Sequence, residues 1–231
     1  MSNSAFLSSS LAKKYAMAFT GLFLCLFLVI HLLGNLQLMF DPSEAKNAFN
    51  AYTFQMTHNP LIKVASYITY FAILFHTVDG IILTSKNKKS RPEKYAFNRP
   101  SANSSWASRN MGLLGILLLF YIVSHMSHFW WQVKFGDLET YLFEGNQIQD
   151  IYTPTILFFK NGVYGLIWTI VYVVSMVVIA LHLAHGFQSA FQSLGLRHAR
   201  YTPIIKAVGM FMAIAIPAGF AFIPFYIRFI L

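Results

Sequence analysis

The chain has 231 residues, 56% of them hydrophobic and only 11% charged, with a formal net charge of +9. That apolar excess is too large for a soluble domain of this size, and the bilayer is its natural solvent. The positive charge does not point to nucleic acid, because no basic residues cluster on an aromatic-bearing soluble surface.

A helix needs about 20 mostly apolar residues to cross a bilayer. Five stretches qualify: Tyr15–Phe40, Pro60–Thr84, Arg109–Trp131, Gly162–Gln192 and Pro203–Ile230. The first follows Lys13 and Lys14, as a signal peptide would, but its apolar run lasts about 25 residues without a small-residue cleavage site, so it reads as a permanent span. Cys25, the single cysteine, sits in that span, excludes an internal disulfide and reads as a core or lipid-facing residue. A polar loop follows, ending at His58 and Asn59–Pro60. Trp130 and Trp131 close the third span and Trp106 precedes it, at positions suited to an interfacial aromatic belt. Pro217 and Pro224 interrupt the fifth span and predict a kink in a peripheral helix. There is no internal repeat. The chain therefore reads as one all-α membrane domain over residues 1–231, its first four helices forming a bundle.

The basic residues set a direction. One side would carry Lys13, Lys14, Lys86, Lys88, Lys89, Arg91, Lys94, Arg99, Arg109, Arg197, Arg200 and Lys206. The other holds Lys46, Lys63, Lys134, Lys160 and Arg228 beside six carboxylates. The positive-inside rule then predicts a cytoplasmic N-terminus and an external C-terminus.

Four spans each contain a histidine: His31, His76, His125 and His182. An ionisable side chain inside a span is a functional candidate. At 1.5 Å per residue, His31 and His125 both lie about 24 Å from the inner edge, whereas His76 and His182 lie about 12 and 15 Å from it. Two layers result, separated by roughly 10 Å. Two neutral imidazoles on facing helices of a bundle can hold the iron of one haem, so two layers predict two haems. The competing reading makes each histidine a hydrogen-bonding contact between helices.

Gly21 and Gly115 each lie ten residues before an outer-layer histidine and would clear space for the inner porphyrin, although glycine is also common at plain helix contacts. Two spare histidines complicate the assignment. His128 follows His125 by three residues and His185 follows His182 by three, so each doublet shares a helix face. Depth favours His125 and His182 as ligands. Asp79, three residues after His76, is the only carboxylate within a span; it could orient an imidazole, carry a proton or snorkel to the inner surface.

HLLGN at 31–35, FHTVDG at 75–80, SHMSHFW at 124–130 and HLAHGFQS at 182–189 resemble a known family: the single-chain, five-helix, two-haem cytochrome b anchor of bacterial succinate dehydrogenases and fumarate reductases. The resemblance covers essentially the whole chain. It implies that His31 and His125 ligate an outer haem b, and His76 and His182 an inner one. The family ligand on helix four precedes a glycine by four residues, as His182 precedes Gly186. The resemblance also implies a flavoprotein subunit with FAD and an iron–sulfur subunit docked on the cytoplasmic face, against the segment Lys86–Arg109 and the loop Gly195–Lys206. Electrons would pass between succinate and a membrane quinone, menaquinone by preference, in the bacterial cytoplasmic membrane, with succinate oxidation as the favoured direction. One departure concerns quinone. Some relatives use an outer-side membrane carboxylate, and here no Asp or Glu lies in the outer half of a span. Asp41, Glu44 and His58 are the nearest candidates.

Two rivals stand beside this reading. The cytochrome b subunit of a hydrogenase or formate dehydrogenase also carries paired membrane histidines. A proton or metal-ion transporter would show broken helices or inverted repeats, which the sequence lacks.

Overall fold

A computed structural model describes residues 9–90, 102 and 104–231. Arg91, Lys94 and Arg99 of the expected basic loop lie outside the described residues. Five helices are long and apolar enough to cross a membrane: Ser10–Met39, Pro60–Lys89, Met111–Phe135, Gly162–Ser193 and Thr202–Phe229. Helices are the natural state of such sequences, because in lipid every backbone N–H and C=O must be satisfied within its own segment. The chain is thus of multi-pass membrane character. The end of the molecule that carries Ser9 is termed the near end, and the opposite one the far end.

Local signals fix the helix ends. Ser9 caps the first long helix by accepting from the Ala12 N–H. Asn59 caps the second by accepting from the Leu61 and Ile62 N–H groups, with Pro60 at the first helical position. The fourth ends in a Schellman motif: Leu196 N–H donates to the Phe191 carbonyl and Gly195 N–H to that of Gln192, with Gly195 at φ +74°.

Three features depart from the sequence reading. The stretch expected as a loop before the second span contains a 17-residue helix, Pro42–His58, capped by Asp41 through the Ser43 N–H. Its signature was Asp-Pro-Ser-Glu, a cap residue, a first-turn proline and a glutamate three residues after the cap. Second, the chain is not wholly α-helical. Strands β1 (Thr140–Phe143) and β2 (Asn146–Gln149) form an antiparallel hairpin. Glu144 and Gly145 both have positive φ, 49° and 80°, as a two-residue turn of the primed type requires. Third, the long helix Met111–Phe135 contains a π-helical turn at Met126–Trp130, immediately after His125.

The first long helix packs on the second and fourth, and the third also packs on the second and fourth, so these four close a ring. The fifth lies outside the ring but is not loosely attached. It packs against the fourth more extensively than any other pair of elements, and 33% of its apolar window is buried, against 6% for the third helix. Pro217 and Pro224 are buried, and Pro224 lines the large cavity described below. Cys25 belongs to the core, packed with Met176, Ile179, Leu183 and Ala213. Trp106 and Trp131 are exposed as belt residues would be, but Trp130 is bonded into the fold, its Nε1–H donating to the Tyr70 hydroxyl at 2.8 Å.

The far end is capped by the helix Pro42–His58, the hairpin and the short helix Tyr152–Lys160. One buried residue ties them. Asn50 accepts from the Ile151 and Tyr152 N–H groups and donates to Asp150 and to the Tyr141 hydroxyl. Lys46 Nζ lies 2.6 Å from Asp150 Oδ2.

Candidate functional site

The four span histidines come together in two pairs inside the ring of helices. His31 and His125 have ring centroids 5.9 Å apart with planes at 82°. His76 and His182 are 6.3 Å apart with planes at 64°. These are the partners and the layers that the helical rise implied. A cavity of about 1950 Å³ runs between the first four helices and reaches Phe220, Ile223 and Pro224 of the fifth, and all four histidines line it. Pockets for single ligands commonly measure about 300–1,000 Å³, so this one has room for more than one such molecule.

Each imidazole is held differently. Thr20 donates its hydroxyl to the Ala16 carbonyl at 2.8 Å, and its Oγ1 stands 3.1 Å from His76 Nδ1. With the hydroxyl proton committed to Ala16, the imidazole donates from Nδ1, which leaves the Nε2 lone pair free for a ligand role. His31 stacks on Phe27 one turn earlier and meets Phe220 of the fifth helix. Its Nδ1 faces the amide of Asn35, and that amide donates to the His31 carbonyl at 2.8 Å. His125 stacks on Tyr121. The buried Nδ1 atoms of His125 and His182 have no hydrogen-bond partner among the described residues. Each pair therefore joins one imidazole that has a polar neighbour at Nδ1 to one that does not.

The spare histidines diverge. His128 and His125 both pack on Tyr172, but only His125 lines the cavity. The π turn rotates it out of the cavity and toward the fourth helix, where its Nδ1 lies 3.2 Å from the Tyr172 hydroxyl and its ring packs on Trp168 and Phe158. His185 does line the cavity, one turn nearer the near end than His182, with no hydrogen bond among the described residues.

Gly21 stands against the inner pair: a Cβ there would meet His76 Cε1 at 3.2 Å. This contact sets the first helix in register with the second. His31, ten residues on, then lies about 15 Å above His76, more than the roughly 10 Å inferred from span edges. Gly115 faces open space, with nothing within 4 Å of an added Cβ, and lines the cavity.

Asp79 is buried and does not snorkel. Its Oδ1 lies 3.8 Å from Lys13 Nζ, and it makes no hydrogen bond to His76, whose Nδ1 is turned to Thr20. His58 is exposed at the far end, stacked on Phe54 and donating from Nδ1 to the Phe54 carbonyl at 2.8 Å. It lines a separate pocket of about 380 Å³ with Lys63, Lys134 and Gln147. Glu44 and Asp41 are exposed and line neither cavity.

Sequence reasoning missed Thr20, Tyr121 and Tyr172. Thr20 lies on the same helix turn as Gly21, and Tyr121 lies four residues before His125; both spacings were visible. Tyr172 carries no such local mark. Among known families, curated proteins and solved structures, none matches the chain.

Proposed function

We propose that the chain is a two-haem cytochrome b, the membrane anchor of a succinate:quinone oxidoreductase, seated in a bacterial cytoplasmic membrane with its near end in the cytoplasm. The observation that carries the reading is the pairing of His31 with His125 and of His76 with His182 around one cavity. Two metal–imidazole bonds of about 2 Å, with the ring radii added, bring two imidazole centroids to about 6 Å. The measured 5.9 and 6.3 Å fit that requirement. The donor set supports a haem rather than a bare ion. Among the described residues no three His, Cys, Asp or Glu converge as a bare ion would need, whereas two axial histidines suffice when a macrocycle fills the other positions.

A bound haem supplies one-electron chemistry. The residues of this chain do the rest. His31 and His125 would hold the outer iron, and His76 and His182 the inner. Thr20 fixes the His76 tautomer, the kind of support that ligating histidines usually receive from neighbours. Phe27, Phe220 and Tyr121 confine the outer imidazoles and keep the site dry. Basic near-end residues such as Lys86, Lys88 and Lys89 suit the docking of an iron–sulfur subunit, itself joined to a flavoprotein with FAD. Quinone, menaquinone by preference, would exchange electrons at the far end, where His58 borders the adjoining pocket with Lys63 and Lys134, and Glu44 lines neither space.

The test is a reduced-minus-oxidised spectrum with haem quantitation on the purified protein. Two b-type haems per chain are expected. His31→Ala and His125→Ala should delete the same haem, and His76→Ala and His182→Ala the other. Absence of a b-type spectrum would sink the proposal. Co-purification with a nickel or molybdenum subunit would transfer the chain to a hydrogenase or formate dehydrogenase.

A further inference from the structure

The cavity between the first four helices is lined by lysines at both ends and, among the described residues, by no carboxylate. Lys14 and Lys88 stand at its near end, and Lys63 and Lys134 at its far end. None of the four makes a hydrogen bond or an ion pair among the described residues; the described ion pairs belong to Lys13 and Lys46. The middle of the cavity is apolar, with Leu22, Phe27, Leu118, Met176 and Ile179 on its walls. Such a lining suits amphiphiles whose acid groups point outward at both ends. A carboxylate in the middle would lose its hydration with no cation to offset the loss.

The levels agree. Gly21 marks the level of His76. Lys14 lies seven residues nearer the near end on the same helix, about 10 Å away. Lys63 precedes His76 by thirteen residues on the antiparallel helix, which sets it about 20 Å above that level. That is one turn beyond His31. Lys63 and Lys134 also share the far-end pocket of about 380 Å³, which has Thr53, Thr57, Val133 and Ile151 in common with the large cavity. The far pair of imidazoles thus opens onto a cationic recess.

Resting on the two-haem reading, we propose that Lys63 and Lys134 serve the acid groups of a haem held by the far histidine pair, and Lys14 those of a haem held by the near pair. A cation beside a propionate favours the reduced haem, which carries one more negative charge, so each lysine set raises the potential of its own haem.

An optical redox titration of the purified complex tests this, with the His31→Ala spectrum identifying the outer haem. Lys63→Gln/Lys134→Gln should move the outer midpoint negative and leave the inner one in place. Lys14→Gln should do the converse. Lys63→Arg/Lys134→Arg, which keeps the charge, should leave both midpoints at the parent values and excludes a folding defect as the cause. Two haems with unmoved potentials in the Gln variants, or a shift of the wrong haem, overturn this inference alone. A parent protein without haem overturns the cytochrome reading and this inference with it.

Discussion

The Nδ1 of His128 and the hydroxyl of Tyr172 lie 3.2 Å apart, a hydrogen bond between the third and fourth long helices at the level of the far histidine pair. It gives His128 a structural task and separates it from its neighbour His125. On the two-haem proposal, His128→Ala should keep both haems while destabilising the protein by about 1–3 kcal/mol, the cost of a buried hydroxyl left unpaired. Haem quantitation and a melting curve on the same sample check both parts. Loss of one haem would transfer the ligand role to His128.

Gly21 makes a sharper demand. A Cβ there would stand 3.2 Å from His76 Cε1, a distance the ring can relieve only by moving off Thr20. Gly21→Ala should broaden or shift the inner haem signal, and Gly21→Leu should abolish it. Gly115→Ala, with open space around it, should be silent. Low-temperature absorbance or EPR spectra of the three variants would show the order.

Asn50 joins three separate stretches of the far-end cap. Asn50→Ala would strip partners from the buried Ile151 N–H and the adjacent Tyr152 N–H, at about 1–3 kcal/mol for each orphaned group. Limited proteolysis should then cut between Gly136 and Gln149 in the variant under conditions that spare the parent. Equal resistance would remove Asn50 from this role.

Acid should loosen the same cap. Burial alone would raise the Asp150 carboxyl, but bonds from Lys46, Thr153 and Asn50 outweigh it and hold the group at about 2, below the ordinary 3.8. A carboxylate with a depressed pKa contributes stability that is fully present above its ordinary value and is lost as pH falls toward the folded one. The cap should thus be indifferent to pH between 7 and 5 and weaken from about 4 down to 2. Asp150→Asn should weaken it at neutral pH and flatten the acid dependence. Hydrogen exchange of the Ile151 and Tyr152 amides across that range is the measurement.

The five long helices and the two histidine layers were legible in the sequence because both are one-dimensional properties. Apolar run length marks a span, and rise per residue converts a position into a depth. What stayed hidden depends on helix rotation or on distant partners. The π turn at Met126–Trp130 inserts no unusual residue, yet it decides which of His125 and His128 faces the cavity. Tyr172 and Asn50 act through partners far along the chain, which no local pattern reports. The helix at Pro42–His58 was legible from its capping residues, but its polar composition concealed it from a search for spans.

The tight pairing of the fourth and fifth helices has a bearing on biogenesis. Translation runs from the N-terminus, so the most extensive helix pair among the described residues is completed only after the ring of four. Until Thr202–Phe229 is made, Met176, Ile179 and Leu183 lack their contact with Ala213, and Phe187 has no Gly209 to pack on. The ring of four helices is therefore assembled before its outer brace arrives. A chain stalled within the last helix would leave the fourth helix without that brace, while its Met176, Ile179 and Leu183 still face the cavity and Cys25.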